Sequence, residues 1–117
     1  MGYESRVLVV NVHRYPSLDF CYAQIVADVR LSKMGSEFHS LFDKEIDFDI
    51  FIDDDEETRT DKYGDTLKEV GLDEILVWLK KEIDNGNSHR RIPLLYGTLS
   101  SLDPNRWEEL HIIHYGY

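Results

Sequence analysis

Cys21-Tyr22-Ala23-Gln24-Ile25-Val26-Ala27-Asp28-Val29-Arg30-Leu31 decides the fold class, because it alternates along its whole length. Cys21, Ala23, Ile25, Ala27, Val29 and Leu31 take one set of positions and Tyr22, Gln24, Val26, Asp28 and Arg30 the other, the period of a strand with one face on a core. Upstream, the valine-rich run from Arg6 to His13 reads as a second strand, and Tyr15-Pro16-Ser17 supplies the break between the two. The pair predicts an antiparallel hairpin.

Downstream, Gly35-Ser36-Glu37 opens a stretch in which Phe38, Leu41 and Phe42 have the spacing of a helical turn. Asp47-Phe48-Asp49-Ile50-Phe51-Ile52 alternates again and predicts a strand over 47–52, with Phe48, Ile50 and Ile52 inward. Residues 53–70 read as a polar connection with a helical turn near Leu67. After Gly71 comes the clearest helix, Leu72 to Asp84, whose stripe is Leu72, Ile75, Leu76, Leu79 and Ile83, with Lys80 and Lys81 near the negative end of its dipole. Asn85-Gly86-Asn87 ends it. A second helix is expected after Ser88, with Pro93 in its first turn, running through Leu94, Leu95, Leu99 and Leu102 to Asp103-Pro104. Leu110-His111-Ile112-Ile113-His114-Tyr115 reads as a last strand. These elements predict an α+β fold in two layers: a small antiparallel sheet of three to four strands with two or three helices on one face, in a single domain over 1–117.

Composition agrees. The chain has 117 residues, 42% of them apolar, with five Phe, seven Tyr and two Trp, which fills one core and leaves too little for two. The formal net charge is -10, so free nucleic acid and anionic membrane are poor partners, because such affinity rests on basic groups that neutralise phosphate. Cys21 is the single cysteine and can form no internal disulfide. No signal-peptide pattern and no span of roughly 18 apolar residues occurs, which predicts a cytoplasmic protein.

The charge is localised. Residues 1–42 carry four basic and four acidic groups, residues 85–117 three of each, and residues 43–84 sixteen acidic against six basic, so the middle block accounts for the whole net charge. Nine of those acids lie between Asp43 and Glu57, opposed only by Lys44. A run such as Asp53-Asp54-Asp55-Glu56-Glu57 is ordinarily a solvated loop. Here it continues from the alternating segment 47–52, which would hold Asp47 and Asp49 on one ordered face. A carboxylate row on a fixed surface is a candidate docking site, composed of Asp47, Asp49, Asp53, Asp54, Asp55, Glu56 and Glu57, together with Asp61 and Asp65.

Other constellations are weaker. His111 and His114 would share a face in a helix, but a strand turns them to opposite faces, and His13, His39 and His89 have no ligand-spaced partner. A calcium loop begun at Asp53 would require Gly and Glu where Thr58 and Gly64 stand. Cys21 falls on the expected core face and reads as a small hydrophobe. A nuclease set of Asp19, Asp28 and Arg30 has Arg30 where a catalytic Lys is needed and no basic shell. No nucleophile elbow, phosphate loop or dinucleotide fingerprint occurs, so neither catalytic residues, nor a metal, nor a cofactor is expected. Tyr96 and Trp107 are expected to pack on the core. Tyr3, Tyr15, Tyr63, Tyr115 and Tyr117 are expected to include exposed members suited to an interface.

The opening Met1-Gly2-Tyr3-Glu4-Ser5-Arg6 before a valine-rich strand, and the closing His114-Tyr115-Gly116-Tyr117, resemble small acidic proteins encoded by phages and prophages of Gram-positive bacteria. The resemblance implies a genomic setting and no particular activity; accessory proteins of that kind are often inhibitors of host machinery, and some imitate the charge surface of DNA. Together with the acidic row, it makes the expected function that of a non-enzymatic inhibitor. Its partner would be a basic protein such as a nucleic-acid enzyme, met on its nucleic-acid-binding surface, as in DNA mimicry or nuclease immunity. Two alternatives come from other classes. One is an assembly component joined through an exposed terminal strand bearing Ile113 and Tyr115. The other is a divalent-metal-dependent hydrolase.

Overall fold

A computed structural model describes residues 4–18, 20–52, 57–86 and 91–117. The elements are β1 (Ser5–Tyr15), β2 (Phe20–Arg30), α1 (Ser36–Leu41), β3 (Lys44–Glu45), β4 (Ile50–Phe51), β5 (Glu57–Thr58), β6 (Lys68–Val70), α2 (Leu72–Asp84), α3 (Ile92–Ser100) and β7 (Leu110–Gly116). The fold is α+β. Five strands pair antiparallel in the order β2-β1-β7-β6-β3, and β4 and β5 form a separate hairpin.

β1 is apolar on both sides, and both sides are buried. Val7 and Val9 face α1, α2 and α3, which supply Phe38, Ile75, Leu79, Ile92, Leu95 and Leu99. Leu8, Val10 and Val12 face the opposite way, onto Ile46, Phe48, Ile50, Ile52 and Leu67. The helices lie on one face as expected, while the opposite face, for which a two-layer fold has no cover, carries a third layer built from residues 46–52. A continuous apolar run such as Val7-Leu8-Val9-Val10 is the mark of a strand covered on both sides.

The alternation in β2 does not map onto one face. A bulge shifts the register between Val9, opposite Ala27, and Val10, opposite Ile25. One extra residue inverts the pleat. Cys21, Ala23 and Ile25 therefore pack toward Phe48 and Ile50, whereas Val26, Ala27, Val29 and Leu31 pack toward the helices.

Other expectations shift with the pairing. Only Ile50–Phe51 of the segment 47–52 is a regular strand. Leu67 is in no helical turn; it is buried, its N–H bonds the carbonyl of Arg59, and β6 follows directly. α2 has the expected bounds and ends at Gly86, whose φ of 71° is a conformation that side chains disfavour. α3 ends at Ser100, short of Asp103, whose carboxylate instead accepts from the N–H of Asn105 at the start of a short 3-10 turn. β7 lies in the middle of the sheet between β1 and β6, with Ile113 and Tyr115 buried, so the terminal strand offers no free edge. No helix among the described residues is long and apolar enough to cross a membrane.

Candidate functional site

Residues 43–52 form a strap that leaves the edge strand β3 and crosses the second face of the sheet to reach β2. Its even positions Ile46, Phe48, Ile50 and Ile52 are buried and its odd positions Asp43, Glu45, Asp47, Asp49 and Phe51 are exposed. Apolar burial thus fixes the backbone, and each carboxylate is turned outward as a result. The backbone bends at Asp47 and Phe48, so the four carboxylates share the outward side of the strap without forming a straight row. Glu57 is exposed at the start of β5. Asp53, Asp54, Asp55 and Glu56 lie outside the described residues.

Two of the four carboxylates already have arginine partners. Arg14 Nη2 donates to Asp47 at 3.1 Å, and Arg59 Nε donates to Asp49 at 2.7 Å. These are exposed pairs, which position the side chains more than they stabilise the fold. Asp43, Glu45 and Glu57 have no ion pair among the described residues. Asp65 is exposed. Asp61 departs from the expected row: it is 9% exposed, and its Oδ1 accepts from the N–H groups of Tyr63 and Asp65. Its carboxylate forms the turn that Gly64 completes at φ 84°.

Beneath the strap runs a chain of polar contacts that spacing in the sequence does not reveal. Arg14 grips Glu109 through Nε at 2.9 Å and Nη2 at 2.8 Å; Glu109 contacts His111 Nε2 at 2.6 Å, and His111 Nδ1 lies 2.9 Å from Glu69. Arg14 first, then His111, holds the Glu109 carboxyl down at about 2 against the opposing effect of burial. The imidazole of His111 also lies 4.7 Å from the ring of Phe48. This chain of contacts therefore touches the strap at both Asp47 and Phe48.

His114 points to the other face of β7, as its offset from His111 requires. Its Nε2 lies 2.8 Å from Ser5 Oγ, and its ring is 4.8 Å from that of His39. Burial, followed by the proximity of His39, pushes the His114 imidazole down to about 4, with Asp61 acting the other way. A Ser–His contact of this kind belongs to acyl-transfer sites, yet Ser5 is completely buried and offers no surface to a substrate. His39, His114, Asp61, Asp65, Glu45 and Lys68 line a polar cleft of about 360 Å³. Among the described residues, no group of three or more His, Cys, Asp or Glu side chains is placed to hold a metal ion.

The remaining candidates are structural. Arg6 is 3% exposed and grips Asp28 through Nε at 2.8 Å beneath the ring of Tyr115, so Asp28 serves this pair. Arg30 lies over Tyr117. Asp19 is outside the described residues. Cys21 is half-buried against the strap core. Tyr96 packs on the helical core and Trp107 is partly buried, whereas Tyr15 and Tyr63 are exposed and Tyr115 is not. Comparisons with family models, with curated proteins and with solved structures find no match for this chain.

Proposed function

We propose that this chain is a non-enzymatic acidic binding protein, a phage-type inhibitor that occupies the nucleic-acid-binding surface of a basic protein partner. The observation that carries the reading is the alternate burial along the strap, which holds Asp43, Glu45, Asp47 and Asp49 on its outward side. An ordered set of carboxylates loses less conformational freedom on binding than a flexible acidic loop would. The mechanism is competition: carboxylates steer a fast encounter and then exclude nucleic acid from the same basic groups. The interior position of β7 removes the edge on which the assembly alternative rested, and no observation favours a metal-dependent hydrolase over binding.

The test is an affinity pulldown of the tagged chain from bacterial lysate at low salt, with a salt gradient, mass spectrometry and competition by duplex DNA. A basic nucleic-acid enzyme should elute, displaced by DNA, with affinity falling roughly tenfold or more as screening shortens from about 10 Å to a few Å. Replacing Asp47, Asp49, Asp53, Asp54 and Asp55 by Asn should abolish retention and leave the fold intact or more stable, because like-charge repulsion falls. Undiminished retention by that variant would overturn the reading.

A further inference from the structure

β2 is an edge strand of eleven residues, and among the described residues its only strand partner is β1. Which of its backbone groups face away from β1 follows from bonds on the far side of β1. The N–H of Val12 donates to the carbonyl of Glu109, on the β7 side. Val12 is paired with Ala23, and in an antiparallel ladder the residues of such a pair turn their N–H and C=O away from each other. The outward groups are therefore those of Ala23 and, by alternation, Cys21 and Ile25. Past the bulge, the Leu31 N–H bonds the carbonyl of Ser5, which turns Arg30 outward, and there Arg91 Nη1 covers the carbonyl of Arg30 at 2.9 Å.

One end of the edge is thus capped by a side chain, and at the other, among the described residues, three outward residues before the bulge have no strand partner. That stretch lacks the devices that ordinarily protect an edge. From Phe20 to Ala27 there is no Lys, no Pro and no charged residue of any kind. Set against its own copy, this uncharged stretch brings no charge to the seam from either strand.

We infer that the chain forms a symmetric dimer in which β2 pairs antiparallel with β2 of a second copy, about a two-fold axis at Ala23. This register joins Ala23 to Ala23 and Cys21 to Ile25 of the other copy, uses every outward group before the bulge, and sets the exposed Tyr22 opposite Gln24 across the seam. The side chains at the three hydrogen-bonding positions stay on the face that packs against the strap. The inference is independent of what the strap binds.

Light scattering on the full chain, with a dilution series, should give twice the chain mass; a monomer at every concentration up to millimolar overturns the inference. Ala23→Pro removes an N–H that the monomer does not use and should yield a folded monomer by circular dichroism. A dimer that survives it places the interface elsewhere. Ile25→Cys supplies a second readout that requires no disruption of the edge. Cys21 and position 25 of one strand are about 13 Å apart and cannot bridge. In the dimer they oppose each other across the seam at about 5.5 Å, inside the range a disulfide spans. Oxidation should give a reducible covalent dimer on a denaturing gel, and failure to cross-link counts against the register. A chain that is monomeric here yet still retains its basic partner loses the dimer and keeps the proposed function.

Discussion

His114 joins residue chemistry to stability with a definite sign. Its folded value, about 4, lies below the ordinary 6.5, because burial and the neighbouring His39 disfavour the charged ring. The unfolded chain therefore takes up the proton first. The contribution of the neutral ring is complete above the unfolded value and is lost as pH falls from there toward the folded one. The shift corresponds to about 3 kcal/mol. Urea unfolding from about pH 7 to about pH 4.5 should show the loss, and His114→Gln should flatten that part of the profile while lowering stability at neutral pH. Further down, Glu109 takes over: its carboxyl is depressed from 4.5 to about 2, so its stabilisation is present above the unfolded value and disappears as pH drops through the folded one. The Arg6–Asp28 pair gives a second expectation. Asp28→Ala removes the carboxylate that the buried Arg6 side chain grips and should cost about 3 kcal/mol, more than Arg6→Met, as thermal midpoints would record. Neither arrangement was readable beforehand. Arg6 and Asp28 are separated by 22 positions and Ser5 and His114 by 109, and the pairing of strands alone brings them together.

The strap shows what pattern resolves in an element and what it does not. Alternation of acids with Phe48, Ile50 and Ile52 correctly divides inward from outward residues, because each apolar side chain seeks the sheet face even where the backbone bends and is unpaired. It does not predict pairing, and only Ile50–Phe51 meets a neighbour. In β2 the same pattern misleads, since its single irregularity, the apolar Val26 among the polar set, marks the bulge that inverts the face. α2 was fully readable: five stripe positions, a preceding glycine and a terminal Gly86 all point to the same bounds. Phe48 is the anchor of the strap. Phe48→Ala should destabilise by about 3–4 kcal/mol, whereas Phe51→Ala, on the exposed side, should change stability by less than about 0.5 kcal/mol. Hydrogen exchange would show Phe48→Ala releasing residues 46–52 ahead of the helices, and equal protection in both variants would argue against the anchor.

At the scale of the molecule, fold class and helix placement were carried by period and composition, and the third layer was not. The clue stood in β1, where four successive apolar residues leave no side for water, but a run that short also fits a buried helix segment. The acidic block was visible by counting, yet its three-dimensional form depended on a sheet face that needed covering. The same segment therefore closes a core and displays charge, and neutralising its outward half is separable from disturbing its inward half.

β7 sits at the centre of the sheet, and Val9 pairs with Ile112. Contact order is correspondingly high, and the ladder at the middle of the sheet spans nearly the whole chain. Closing so long a loop costs entropy before any of the burial that offsets it, which puts folding on the slow side for a domain of this size. Until that strand arrives, the β1–β2 hairpin has two open edges, and the interval before closure is when the chain is most exposed to chaperones, proteases and its own kind.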